Sequence, residues 1–227
     1  MISIVIPTYN ESLIIESTLI KIRNILCLGD EIIVVDGLSE DDTGRIVEKF
    51  SGVQLISSRR GRSTQMNAGA NIAKGDYILF QHADVLLDEN CLNALRNHIK
   101  NSGIVWGWFT FKLDTSGFIY RVLERGSNMR NRLTGIPLGD HGIFVRKDVF
   151  HNIGGFPEIP IMEDLEFIKK LKALAKGIEI KTPIVISARR FEKSGFMGTL
   201  IKMWILRIFY LFGMSPEKLA LYYCDIR

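Results

Sequence analysis

The sequence predicts an α/β fold with a mostly parallel central sheet, flanking helices and a helical C-terminal tail. Three observations lead there. Short apolar runs alternate with longer amphipathic ones through the first half of the chain, as in successive βαβ units. Three of those apolar runs end in polar or acidic residues. Repeats, low-complexity tracts and Pro/Gly linkers are missing, so the strongest boundary is the start of the tail, which divides the chain into residues 1–190 and 191–227.

The elements follow in order. "ISIVI" from Ile2 reads as a strand, and "SLIIESTLIKIRNIL" from Ser12 has apolar positions at helical spacing. "EIIVVD" (Glu31 to Asp36) is a second strand. "SEDDTGRIVEKF" opens with Ser39 and acids that suit a helix N-terminus. "VQLISS" from Val53, "STQMNAGANIA" from Ser63 and "DYILF" from Asp76 continue the alternation as strand, helix and strand. "DENCLNALRNHIK" from Asp88 is a helix with an Asp cap, after which the regularity weakens. "GIVWGWFTFKL" from Gly103 and "GIFVR" from Gly142 read as strands, "LEFIKKLKALAKG" from Leu165 as a helix closed by Gly177, and "IVISA" from Ile184 as a last strand. From about Gly195 onward the chain reads as helices.

Bulk properties narrow the function. The 227 residues are 47% hydrophobic and 24% charged, enough for one full core. A net charge of +4 suits a small anionic substrate or a membrane surface and is too small for nucleic-acid binding. Cys27, Cys91 and Cys224 are odd in number and far apart, which points to a reduced, cytoplasmic setting rather than a disulfide framework or zinc site. Met1 leads straight into "ISIVIPTYN" with no basic, apolar leader, so no signal peptide is expected. The run "WILRIFYLFGM" from Trp204 is interrupted by Arg207 and falls short of the roughly 20 residues a spanning helix needs.

In open α/β sheets, ligands bind outside the carboxyl ends of the strands. Here the first strand ends in "PTYNE" (Pro7 to Glu11), the second in Asp36 and the fourth in "QHAD", with His82 and Asp84. Each has a structural reading: turn chemistry for Pro7, Asn10 and Asp36, a hydrogen-bonded histidine at His82, a cap or turn at Asp84. Three strand ends delivering polar groups to one edge, at a cost in burial, favour a site. "RRGR" (Arg59 to Arg62) is either a solvated loop or a diphosphate contact, with Arg62 the best placed, since guanidinium forks match phosphate oxygens.

In "MEDLEF", Glu163 and Asp164 precede an amphipathic helix, where acids also stabilise the helix dipole. "LGDHGIFVR" sets Gly139, Asp140 and His141 before a short strand, and "SARRFEKSG" puts Arg189 and Arg190 at a strand end. Gly139 to His141 read as contacts to the acceptor or the donor sugar, or as strand-edge polar residues; Arg189 and Arg190 read as contacts to the product diphosphate or an anionic acceptor, or as surface charge.

"VIPTYNE", "VVDGLSEDDT" and "GDYILFQHAD", in that order, resemble the family 2 glycosyltransferases with the GT-A fold, over about residues 1 to 190. The resemblance implies a Rossmann-like nucleotide-binding half and a nucleotide-sugar donor, UDP- or GDP-linked. It implies donor contacts at Pro7, Tyr9, Glu11, Asp36, Arg62, Asn67, His82 and Asp84. It also implies a divalent metal, Mg²⁺ or Mn²⁺, on Asp84 with His82 either coordinating or touching the donor. Asp164, beside Glu163, matches the family's base that deprotonates the acceptor hydroxyl, and one base without a nucleophilic carboxylate implies inversion. "HAD", "GDHGIFVR", "GGFPEIPIMEDLEF" and "SARRFEKSG" are similar to a subgroup of small soluble members, some linked to arsenosugar-type pathways.

The sequence departs from the family pattern at three places. His82 takes the first position of the Asp-x-Asp signature, Met66 stands where an arginine is common, and Gly37 follows Asp36 where many members have a second acid.

Three alternatives stay open. The tail "GTLIKMWILRIFYLFGMSPEKLALYY", with Lys202 and Arg207, fits an interfacial helix serving a polyprenyl-phosphate acceptor, and equally a helix packed on the domain or on a second copy in a homodimer. A nucleotidyltransferase would use the same sheet, although "PTYNES" lacks the Gly-rich basic loop that holds a triphosphate. A non-catalytic binder would have no need of Asp36, Asp84 and Asp164 together.

Overall fold

The computed structural model describes residues 1–188 and 196–223, so Arg189, Arg190 and Cys224 lie outside the described residues. Eight strands form one sheet: β1 (Ile2–Thr8), β2 (Glu31–Asp36), β3 (Val53–Ser57), β4 (Tyr77–Phe80), β5 (Val85–Leu86), β6 (Trp106–Leu113), β7 (Phe144–Arg146) and β8 (Ile178–Ile186). Their order is β3-β2-β1-β4-β7-β6-β8-β5. β1 to β4 are mutually parallel, β7 is antiparallel to both β4 and β6, and β8 is parallel to β6.

The helices are α1 (Ile15–Arg23), α2 (Thr43–Glu48), α3 (Arg62–Ile72), α4 (Glu89–Ser102), α5 (Phe118–Thr134), α6 (Lys147–Asn152), α7 (Glu163–Leu174), α8 (Phe196–Leu211) and α9 (Pro216–Tyr222). Alternation along β1 and β2 sorts side chains to two cores. Ile4, Ile6, Ile32 and Val34 pack with α1 and α4 on one face. Val5, Ile33 and Val35 pack with Met66 of α3, Phe167 and Leu171 of α7, and Phe150 and Phe156 on the other. Burial on both faces is why these strands read as continuous apolar runs.

The tail does not stand apart. Leu206 of α8 and Leu219 of α9 share a third buried cluster with Ile161, Met162 and Leu165 at the start of α7. Tyr210 hydroxyl donates to Glu166 at 2.8 Å. Among the described residues no helix is long and apolar enough to cross a membrane.

Two expectations need correction. The last strand begins at Ile178 rather than Ile184, because the register shift opposite Phe109 and Thr110 accommodates Pro183 inside a strand. The segment 118–134, to which the sequence reading assigned no element, is a 17-residue helix whose inward side mixes polar residues with Tyr120 and Leu123. Its buried side carries Glu124 and Asn131, while Phe118, Val122, Met129 and Leu133 are exposed. Glu124 accepts from the Leu113 N–H at 2.6 Å, and the Asn128 amide bonds both N–H and C=O of Phe111, so the helix docks on β6 through polar groups.

Candidate active site

The carboxyl ends of β1, β2 and β3 open on a cleft of about 590 Å³ lined by Asp36, Ser39, Asp41, Arg45, Leu55 and Ser57. Asp36 ends β2, and its carboxylate accepts from Ser39 N–H (2.9 Å), Ser39 Oγ (2.5 Å) and Thr8 Oγ1 (3.3 Å). The loop after β1 is tied to the same turn. Asn10 N–H donates to Ser39 Oγ at 2.9 Å, Asn10 Oδ1 accepts from Glu40 N–H at 2.9 Å, and Glu11 N–H donates to Thr43 Oγ1 at 2.8 Å. Asn10 and Leu38 hold φ of 54° and 63°, a left-handed backbone that costs energy outside glycine and marks a fixed loop. Pro7 is buried in β1, in register with Val35, and the Arg60 guanidinium lies 4.1 Å from the centre of the Tyr9 ring.

Gln65 supports this wall from below and was not singled out from sequence. Its Nε2 donates to the carbonyls of Thr8 (2.7 Å) and Val35 (2.8 Å), joining β1 to β2 under the cleft. A Cβ on Gly37 would stand 3.0 Å from the Gln65 amide. That contact gives the "DG" departure a steric reason.

β4 delivers the second group. Gln81 Nε2 donates to Val85 C=O at 2.7 Å, Val85 N–H to His82 C=O at 3.1 Å, and Thr18 Oγ1 to Ala83 C=O at 2.7 Å, so the turn carrying His82 and Asp84 is held from three sides. Burial, and then the charge of Arg62, push the His82 imidazole below its ordinary 6.5 against the pull of Asp84, Asp140 and Asp164. The ring is therefore neutral at pH 7.

A second wall, separate from the residues that line that cleft, comes from a 3-10 turn, Gly139–His141, and the N-terminus of α7. Met162, at φ 69°, turns the chain so that Glu163 and Asp164 enter the helix facing this turn. The Asp164 carboxylate accepts from Gly139 N–H at 2.8 Å and from its own neighbour, Leu165 N–H, at 2.7 Å. A Cβ on Gly139 would lie 3.4 Å from Asp164 Oδ2 and 3.7 Å from His82 Nε2. The two residues, 82 positions apart in the chain, thus face one point.

Glu163, 4% exposed, pairs with Arg62 Nε at 3.6 Å. Glu163 first, then Tyr223 and Asp164, raise the Arg62 guanidinium above its ordinary value despite burial, and Tyr223 also hydrogen-bonds it. Asp140 sits at about 2: burial pushes its carboxyl up, but the hydrogen bond from His141 and the charges of His141, His82 and Arg62 prevail. His141 is 1% exposed, with Nδ1 2.8 Å from Asp140 Oδ1 and its ring edge-on to Phe111. It lies in the turn, not at a strand edge, and bears on the cleft through Asp140.

One expected donor contact, Asn67, is engaged with the backbone in this structure. Asn67 holds the chain around Phe156 instead, its Nδ2 donating to Phe156 C=O (2.8 Å) and its Oδ1 accepting from Phe156 N–H (2.9 Å), so its amide is committed to backbone. Met66, where an arginine is common in the family, is 4% exposed and packs with Val5, Phe80 and Phe150 in the core.

No three His, Cys, Asp or Glu side chains among the described residues are grouped to hold a metal ion by themselves. Asp84 and His82 fit a different kind of site, in which one or two side chains share the cation with substrate phosphates.

The profile of "Glycosyl transferase family 2" matches residues 3–154. The chain belongs to glycosyltransferase family 2. A Haemophilus influenzae protein described as an uncharacterized glycosyltransferase is 26% identical over 187 residues, covering 75% of this chain and 62% of that protein. The Staphylococcus aureus poly(ribitol-phosphate) beta-N-acetylglucosaminyltransferase TarP is 28% identical over 136 residues, 56% of this chain and 42% of its own length. This family 2 chain therefore spans only part of the relatives it matches. Among solved structures, S. aureus TarS in complex with UDP-GlcNAc superposes with TM-score 0.66 at 20% identity, covering 82% of this chain and 58% of that one. The Pyrobaculum calidifontis mannosyltransferase in complex with GDP-Man and Mn²⁺ superposes with TM-score 0.65 at 21% identity, over 91% and 60%. The fold is that of the GT-A glycosyltransferases.

Proposed function

We propose that this protein transfers a sugar from a nucleoside-diphosphate donor to an acceptor hydroxyl with inversion, and that Asp164 is the base. The observation that carries this reading is the Asp164 carboxylate, oriented by two backbone N–H groups and facing the same point as His82 Nε2 beside the charged Arg62. An alcohol is a weak nucleophile until its proton is leaving, and a positioned carboxylate removes it. The acceptor oxygen then bonds the anomeric carbon as the carbon–oxygen bond to the diphosphate breaks from the opposite face. Asp164 receives the acceptor proton, and the negative charge released on the diphosphate falls to Arg62.

In this reading the nucleoside occupies the cleft at Asp36, Ser39 and Ser57, with Tyr9 and Arg60 at its rim. Asp84, together with the diphosphate oxygens and with His82 within reach, would hold Mg²⁺ or Mn²⁺, which adds charge neutralisation to the departing group. Glu163 fixes Arg62 rather than acting as base. Membership of family 2 and the UDP- and GDP-sugar complexes of similar structures support this reading over a nucleotidyltransferase. The finer likeness to arsenosugar-linked members rests on sequence motifs alone; none of the relatives above is described in those terms.

Asp164→Asn tests the base. It should slow turnover of the nucleotide-sugar donor by about 10²- to 10⁴-fold, the usual contribution of a positioned base, with nucleotide affinity unchanged. Wild-type turnover in that variant would remove Asp164 from the mechanism.

A second reading, contact with a membrane surface, is favoured by one observation. α5 and the α8 segment expose Phe118, Met129, Leu133, Trp204, Phe209 and Phe212. Such a face suits the interfacial zone of a bilayer or a second copy of the chain. Pelleting with anionic vesicles distinguishes the two, because a self-paired face leaves the protein in the supernatant.

A further inference from the structure

Arg130 and Arg207 lie 77 positions apart and belong to no motif, yet the fold sets them together beside the catalytic wall. α8 docks on the start of α7: Leu206 is buried against Met162 and Leu165, and Tyr210 reaches Glu166. Ile136, just beyond the C-terminus of α5, packs on the same cluster. The last turns of α5, the first turn of α7 and the middle of α8 therefore converge. Arg130 feels Arg207 as a like charge and Asp140 and Asp164 as opposite charges, so it stands near the wall that carries those two acids.

Both side chains are partly buried, and among the described residues neither forms an ion pair. Arg130 bonds only neutral oxygens, Asn131 Oδ1 at 2.7 Å and Ser127 Oγ at 3.3 Å. The other end of the Asn131 amide, Nδ2, is buried with no hydrogen-bond partner, in a residue that is 0% exposed. Burial and then Arg207 bring the Arg130 guanidinium down to about 10. Neighbouring like charges raise the free energy of the folded chain, and an anion bound between them lowers it. Asp140 and Asp164 attract Arg130 without ion-pair contact among the described residues: Asp164 accepts from backbone N–H groups and Asp140 contacts His141.

We propose that Arg130 and Arg207 form an anion subsite at the acceptor side of the cleft, and that the acceptor carries a phosphate group which docks there while its hydroxyl meets Asp164. The proposal rests on the glycosyl-transfer reading given above. A guanidinium pair matches phosphate oxygens in charge and geometry, and Arg130 and Arg207 stand on α5 and α8 whereas Arg62 opens α3. The phosphate belongs either to a soluble phosphorylated polyol or to a lipid headgroup, the latter reached across the exposed face of α5 and α8.

The test uses the full chain saturated with a nucleoside diphosphate, UDP or GDP, and Mn²⁺, so that the donor's anion site is already filled. Calorimetry with glycerol 3-phosphate, and co-sedimentation with phosphatidylglycerol vesicles, are run on wild type, Arg130→Gln, Arg207→Gln and Arg207→Lys. Glycerol 3-phosphate binding that weakens about tenfold in each glutamine variant, the size of one charge-assisted contact, with Arg207→Lys intermediate, supports the subsite and a soluble source. Vesicle binding lost in the same variants, with no binding of glycerol 3-phosphate, supports the subsite and a lipid source. Neither probe binding, or binding indifferent to both arginines, overturns the subsite. The nucleotide titration that precedes each run separates the two failures: if no nucleotide binds, the glycosyl-transfer reading falls; if it binds and only the phosphate probes fail, that reading stands without the subsite.

Discussion

The two walls of the candidate site are built by different means. The wall at β1, β2 and β3 consists of strand ends and short loops whose polar groups bond within a few residues or across one strand pair, as Asp36 does with Ser39 and Thr8. The opposite wall assembles a 3-10 turn, a helix N-terminus and two docked helices from positions between 118 and 223. Parallel register and a few side-chain bonds, such as those of Gln65 and Asn10, fix the first. Long-range docking fixes the second, so substitutions that disturb packing in that half should reach the chemistry sooner.

Two glycines give the largest test of this contrast. A Cβ on Gly107 of β6 would lie 2.2 Å from Ile178 C=O, a backbone atom of the paired strand, and 2.5 Å from Phe144 Cζ. On Gly69 of α3 it would meet Val5 Cγ1 at 2.5 Å and Val35 Cγ2 at 2.9 Å, which are side-chain atoms able to shift. Gly107→Ala should cost about 3 kcal/mol or more by urea unfolding. Gly69→Ala should cost about 1 to 2 kcal/mol, because overpacking is offset by the better helix propensity of alanine. Equal costs would break the contrast.

A middle-sized effect belongs to Gln65. Gln65→Ala leaves the carbonyls of Thr8 and Val35 without their side-chain donor and should cost about 1 to 3 kcal/mol, with a parallel loss of nucleotide affinity. Unfolding midpoints and nucleotide titration of the same variant check both. Unchanged nucleotide affinity would mean that β1 and β2 hold their ends without it.

The smallest effect lies outside both walls and acts as a control. Asp88 caps α4, accepting from Cys91 N–H at 2.8 Å. Burial pushes its carboxyl up, but that N–H and Asn90 outweigh it and hold it below 3.8. Asp88→Ala should cost about 1 kcal/mol at pH 7. Because the folded value is the lower one, the advantage of the wild type is present above pH 3.8 and shrinks as pH falls through the lowered value. Urea midpoints at pH 7 and pH 3 measure it, and activity at pH 7 should be unaffected.

The same contrast explains how much of the molecule its sequence discloses. β1 to β4 and α1 to α4 are evident because their strands are buried on both faces and their helices bury apolar stripes. Asp36, Asp84 and Asp164 stand out as candidate site residues because each follows an apolar strand or opens an amphipathic helix. α5 is less evident: Glu124, Asn128 and Asn131 face inward beside Tyr120 and Leu123, while Phe118, Val122, Met129 and Leu133 recur at helical spacing on the exposed side, so its apolar pattern does not mark the buried face. With α5 unseen, Arg130 had no address. Gln65 is not legible because its role depends on the carbonyls of two strands, and family position does not reveal that Phe156 engages both ends of the Asn67 amide.

The central claim is that the two walls together hold a nucleoside diphosphate, with Asp84 sharing a divalent cation with its phosphates. Calorimetric titration of UDP and GDP, with and without Mn²⁺, on wild type and Asp84→Ala tests it most directly. The account predicts binding of one nucleotide that strengthens with Mn²⁺ in the wild type and loses that dependence in Asp84→Ala. Binding of neither nucleotide, or Mn²⁺-dependent binding that survives in Asp84→Ala, would contradict it.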